Sequence, residues 1–161
     1  MTPITIYFSA EHAESIVFIA TGLIALAFAV WAMRVKRSPI WCGAAWPLAL
    51  IAAIQLVVGG IIFQRSPQDL ARVQQTVAHD TARIASEEIP RMQQVMKGFQ
   101  TYRWVEVALL AAGLLLLFAA AVGSFWRGVG AGLAAQSGLM LLLDFFAEQR
   151  GQVYLDWLRT L

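Results

Sequence analysis

The sequence predicts an all-α integral membrane protein of four transmembrane helices, with a protruding amphipathic helical hairpin between helices 2 and 3. Three observations predict it. Four apolar stretches, at about 15–33, 41–63, 104–125 and 129–146, each approach the roughly 20 residues a helix needs to cross a bilayer. Charged residues make up only 14% of the 161-residue chain, and hydrophobic residues 59%, against about 25% charged in a soluble domain. A single sizeable polar segment, 64–103, separates the second stretch from the third. In hydrocarbon each backbone N–H and C=O must be satisfied within its own segment, so such runs must be helices.

The first fifteen residues contain no Lys or Arg and two acids. The basic start of a signal peptide is missing, and the first span is expected to be retained. That span runs into Arg34, Lys36 and Arg37 with no acid among them. Trp41 and Trp46 then open the second span at interfacial depth, in one belt with Trp31 and Trp126. Gln55 sits near the centre of the second span and Gln136 within the fourth, where both read as hydrogen-bonding glue between helices.

The polar segment is patterned as helix. Ser66 can cap, Pro67 suits a first-turn position, and Asp69 favours the positive end of a helix. Leu70, Val73, Val77 and Ile84 form one apolar stripe. After Pro90 a second stripe of Met92, Val95, Met96, Phe99 and Tyr102 flows into the third span. A bend is expected between Glu87 and Pro90, because proline removes a backbone donor.

The fourth span opens with Gly128 and Gly132, a GxxxG spacing that permits close helix contact. The tail 151–161 places Val153, Tyr154, Trp157, Leu158 and Leu161 on one face and reads as a short interfacial helix in the headgroup plane.

Composition removes several function classes. Net charge is +2 with scattered basic residues, which leaves no footprint for nucleic acid. One cysteine, Cys42, forms no internal disulfide and no CxxC motif. Two histidines, His12 and His79, lie outside the spans and do not suit haem, so no cofactor is expected. No nucleophile motif surrounds any serine, and an enzyme, such as one acting on lipid, is the weaker reading.

Two residue sets carry the functional expectations. On the hairpin, Val77, His79, Asp80, Arg83, Arg91, Met92, Met96 and Phe99 are candidates for binding a partner protein; Met92, Met96 and Phe99 read more simply as hairpin core, and otherwise as an adaptable surface whose flexible methionines repack around different partners. At one leaflet, Glu11, His12, Glu14, Arg103, Glu106, Asp144 and Glu148 form a candidate ion or proton cluster, since acids inside a bilayer are costly. Which metal such a cluster would take is unspecified, and salt bridges with Arg103 and Arg150 are the simpler account of it.

The leading expectation is a small non-catalytic inner-membrane protein of bacterial type. Its hairpin would bind another membrane or periplasmic protein, as an accessory subunit or as a guard against a toxin. In size and hydropathy it resembles the small multi-span immunity proteins that protect bacteria from pore formers, a likeness that covers no particular residues. A transporter or ion-handling protein is the alternative, and homo-oligomerisation is left open. Dense basic residues after the first span place the N-terminus, hairpin and C-terminus on the periplasmic or external side.

Overall fold

The computed structural model describes residues 2–79 and 82–161. Four long helices follow in order: α1 (Pro3–Trp31), α2 (Pro39–His79), α3 (Ile89–Ala119) and α4 (Phe125–Leu158). All four are long and apolar enough to cross a membrane.

Their ends have local causes. Thr2 caps α1, its hydroxyl accepting from the Thr5 amide at 3.4 Å. α1 leaves through a widened π-type turn, Ala32–Lys36, and stops where Arg37 adopts a left-handed φ of 48°. Gly123 takes φ of 78°, and Ser124 then caps α4 by accepting from the Arg127 amide at 3.2 Å. The third apolar stretch, expected to span 104–125, therefore ends its helix at Ala119, and α4 begins at Phe125 rather than at residue 129. Where a bend is expected, between Glu87 and Pro90, the chain stays helical into α3 through a second widened turn, Ile84–Glu88. It lies directly before Pro90, whose ring would clash with a regular preceding turn.

α1 packs on α2, α3 packs on α4, and the two pairs meet where α2 lies against α4. The starts of α2 and α4 adjoin, so these helices run parallel, with α1 and α3 outside them. α3 is the most open of the four, with only 11% of its most apolar window buried.

Small residues set the spacing. A Cβ on Gly128 would collide with the carbonyl oxygen of Ile40, and one on Gly43 with that of Phe125. Gly132 lies as tightly against Ala44, so the GxxxG spacing faces α2. Deeper in the same seam Gln136 Nε2 donates to Gln55 Oε1, and Gln55 Nε2 donates to Met140 Sδ at 3.2 Å. Both glutamines are buried, as hydrogen-bonding glue requires.

At the opposite end from the two short connections, all four helices share one core. It joins Ile4, Tyr7 and Phe8 of α1, Val73 of α2, Met92 of α3, Ile84, and Tyr154, Leu155 and Leu158 of α4. The segment 64–103 is thus flanked by the first turns of α1 and the last turns of α4. The tail after Gly151 is not a separate helix but the continuation of α4 to Leu158. Glycine inside a helix costs about 1 kcal/mol relative to alanine, and here it makes room for Met96, whose Sδ would lie 3.0 Å from a Cβ at Gly151. Of the expected tail face, Tyr154 and Leu158 turn inward, while Val153 and Leu161 are exposed.

Gly128→Ala should force α2 and α4 apart and lower stability by about 1–3 kcal/mol. Gly60→Ala, where a Cβ meets nothing within 4 Å, should leave it unchanged or raised. Thermal unfolding of both variants in one detergent checks the contrast.

Candidate functional sites

The four-helix end is built around one buried carboxylate. Glu88, 1% exposed, closes the widened turn before α3. Arg91 grips it with two bonds, Nε to Oε2 at 2.9 Å and Nη2 to Oε1 at 2.6 Å. Arg72 of α2 donates to Oε2 at 3.2 Å, and the Tyr154 hydroxyl of α4 donates to Oε1 at 3.3 Å. Three helices are thereby fastened to one side chain.

The network continues outward. Arg72 pairs with Asp69 at 3.1 Å, Arg65 with Asp69 at 3.2 Å, and Arg65 with Glu11 of α1 at 3.4 Å. Three carboxylates and three guanidinium groups alternate, which leaves no net charge to desolvate. The Ser66 hydroxyl donates to the Phe8 carbonyl at 2.9 Å and ties α2 to α1 again. Tyr7 stacks on Tyr154 with centroids 4.3 Å apart. Burial, reinforced by the charge of Glu11, pushes the Tyr7 phenol above its ordinary value. Burial and the charge of Glu88 push Tyr154 up likewise, which keeps its hydroxyl a donor.

The candidate partner-binding residues divide. His79 and Arg83 lie on the exposed surface, His79 with Nδ1 3.0 Å from the Gln75 carbonyl and Arg83 paired with Glu87 at 2.7 Å. Asp80 lies outside the described residues. Met92 is fully buried, and Val77 and Met96 pack against the same core. Arg91 is committed to Glu88, and Phe99 lines a groove between α3 and α4. Met92 is therefore unavailable as an adaptable contact surface, because the helix stripe that carries it faces α4 and α1 rather than solvent.

The candidate ion cluster also divides. Glu11 turns to Arg65 and Glu14 to Arg150 of α4, while His12 stacks on Phe63 with centroids 4.4 Å apart. Arg103, Glu106, Asp144 and Glu148 come together in the α3–α4 groove, whose volume is about 330 Å³. Arg103 pairs with Glu148 at one end. Glu106 lies deeper, 7% exposed, facing the Asp144 carboxyl. Its Oε2 has no hydrogen-bond partner among the described residues. Among those residues no group of three His, Cys, Asp or Glu side chains is placed to hold a metal ion.

Sequence reasoning missed the Glu88 knot. The signal was partly present, since Arg65, Asp69 and Arg72 recur at four and three, and Glu88 precedes Arg91 by three. Nothing local linked Tyr7 or Tyr154 to them. Comparison with protein families, with curated proteins and with solved structures returns no match.

Two outcomes test the knot. Glu88→Ala strands Arg91, while Arg72 keeps Asp69, and because both arginines reach partly into water the loss should be about 2–3 kcal/mol, below the roughly 3–5 of a wholly buried pair. Chemical unfolding in detergent measures it. The raised phenols carry a pH signature. The unfolded chain releases these protons from pH 10.0 upward while the folded chain holds them. Their contribution is complete below pH 10.0 and declines as pH rises beyond it. Melting temperature followed from pH 8 to 11 should fall above about pH 10, and less so in a Tyr7→Phe/Tyr154→Phe variant.

Proposed function

We propose that this chain is a non-catalytic multi-pass membrane protein whose water-facing helical head binds another protein, as an accessory subunit of a membrane assembly or as a guard against a membrane-active toxin. The head is the polar hairpin of α2 and α3 together with the ends of α1 and α4. The Glu88 knot is the observation that carries the reading. Four helix ends locked by ion pairs and a common core present a preformed surface, and a preformed surface lowers the ordering cost of binding.

Membrane insertion rests on apolar side chains that point away from every other helix. Leu50, Ile54, Val57 and Ile61 of α2 and Leu115 and Phe118 of α3 are all exposed. Hydrocarbon is the surrounding that makes such a surface favourable. In the hairpin part of the head the pattern reverses, since no large apolar side chain between residues 64 and 101 is exposed among the described residues, while Ile6, Val153 and Leu161 are exposed on the adjoining ends of α1 and α4. Contact there is polar, through groups such as His79, Arg83 and Glu87.

Arg34, Lys36 and Arg37 lie at the end with the short connections, where Lys36 Nζ sits 5.5 Å from the Trp31 ring centroid. Arg127, in the first turn of α4, joins them. The head carries more Lys and Arg, among them Arg65, Arg72, Arg83, Arg91, Lys97 and Arg103, but these are interspersed with acids. The acid-free density of Arg34, Lys36 and Arg37 beside the first span supports a cytoplasmic short-connection end and a head outside, periplasmic in a bacterium. A transport role has less support, because Gln55 and Gln136 bond to each other and Glu14 and Glu148 are held by arginines.

Crosslinking in native membranes tests the proposal. A partner captured by the parent chain should be lost in a His79→Glu/Arg83→Glu variant and kept in Asp144→Asn; the opposite pattern contradicts it. Reporter fusions at Gln75 and Ser38 should report the outer and inner sides respectively.

A further inference from the structure

The groove between α3 and α4 is independent of the head surface, and its chemistry is specific. At its centre two carboxyl groups, Glu106 and Asp144, face each other without a basic partner among the described residues. The nearby arginines are already engaged, Arg103 by Glu148 and Arg150 by Glu14. A carboxyl oxygen that is buried and unpartnered is costly unless something supplies a donor. Apart from the Arg103–Glu148 pair at one end, the rest of the lining is apolar, chiefly Phe99, Val107, Leu141, Leu142 and Phe145.

We infer that this groove binds the ammonium end of an amphiphile, with Glu106 and Asp144 receiving the cationic head and the apolar walls receiving a hydrocarbon arm. A dehydrated calcium ion requires about six to eight oxygen ligands, and with Glu148 held by Arg103 these walls leave only two carboxyl groups without a basic partner. An alkylammonium requires what they do offer: acceptors for its N–H groups and apolar surface for its methylenes. Phenyl rings beside the acids add attraction for a cation. The volume of about 330 Å³ lies at the small end of ligand sites, suited to one chain rather than a bulky ring system. The groove lies where α3 and α4 pass from apolar to polar sequence, so a ligand there has its head near water and its arm toward Gly138. The source is either a free amphiphilic amine or an ammonium-headed lipid.

Calorimetric titration of the full chain in nonionic maltoside micelles tests this, with decylammonium as probe, decanol as uncharged comparator and protein-free micelles as blank. Saturable binding of decylammonium and none of decanol is expected. Glu106→Gln and Asp144→Asn should each weaken binding by about tenfold. Gly138→Leu retains both acids and should abolish binding by filling the groove, since a Cβ there meets only Leu110 Cδ1 at 4.0 Å. Displacement of decylammonium by added phosphatidylethanolamine supports a lipid as the source, and failure to displace it supports a free amine. Equal binding of decanol overturns the proposal, and this comparison needs no variant. Parent-like affinity in the folded Gly138→Leu chain overturns it as well. Neither result bears on the head, whose variants leave the groove untouched.

Discussion

The arrangement depends on one seam, the line along which α2 and α4 lie side by side. α1 is held mainly by α2 and α3 mainly by α4, so the two pairs become one body where these helices meet. At one end the seam is closed by glycines so near the facing backbone that no side chain fits, and halfway along by the bond between Gln55 and Gln136. Such contacts suit a chain in lipid. Between helices already surrounded by hydrocarbon there is little hydrophobic force to exploit, and close van der Waals approach with a buried amide bond supplies the attraction instead.

At the other end the contacts change in kind: four helix ends bury an apolar core around Tyr7, Phe8, Met92 and Tyr154. The Glu88 knot adds little net stability for its desolvation cost, since a buried ion pair often does no better than a well-packed apolar replacement. Its contribution is to fix position. A carboxylate bound by Arg91, Arg72 and Tyr154 accepts one arrangement of α2, α3 and α4.

Much of this was legible in the sequence, and the parts that were not share a cause. The count and approximate placement of the apolar helices follow from length and hydropathy. The caps at Thr2 and Ser124 belong to residue types that favour those positions, and the GxxxG spacing at Gly128 and Gly132 marks close packing as it should. Failures arose where residues far apart in sequence meet. Met92, weighed as hairpin core or as adaptable surface, is settled as core by neighbours in α1 and α4 that lie far from it in sequence. The tail after Gly151 read as a separate interfacial helix from its own apolar face, when it continues α4 and the glycine makes room for Met96. The acids near one leaflet read as one cluster, but helix rotation divides them: Glu11 and Glu14 turn to arginines, and Glu106 with Asp144 are left facing each other.

Helix α2 joins both environments, at 41 residues and about 1.5 Å per residue. Cysteines introduced along it in a Cys42→Ser background, in lipid nanodiscs and probed with a water-borne maleimide, test the account most directly. Leu50, Ile54, Val57 and Ile61 are exposed on the protein surface, and so are Gln68, Gln74 and Gln75, so burial within the protein does not separate the two sets. Lipid around the first four and water around the last three predict protection of the former and rapid labelling of the latter. Equal labelling of both sets would contradict the account.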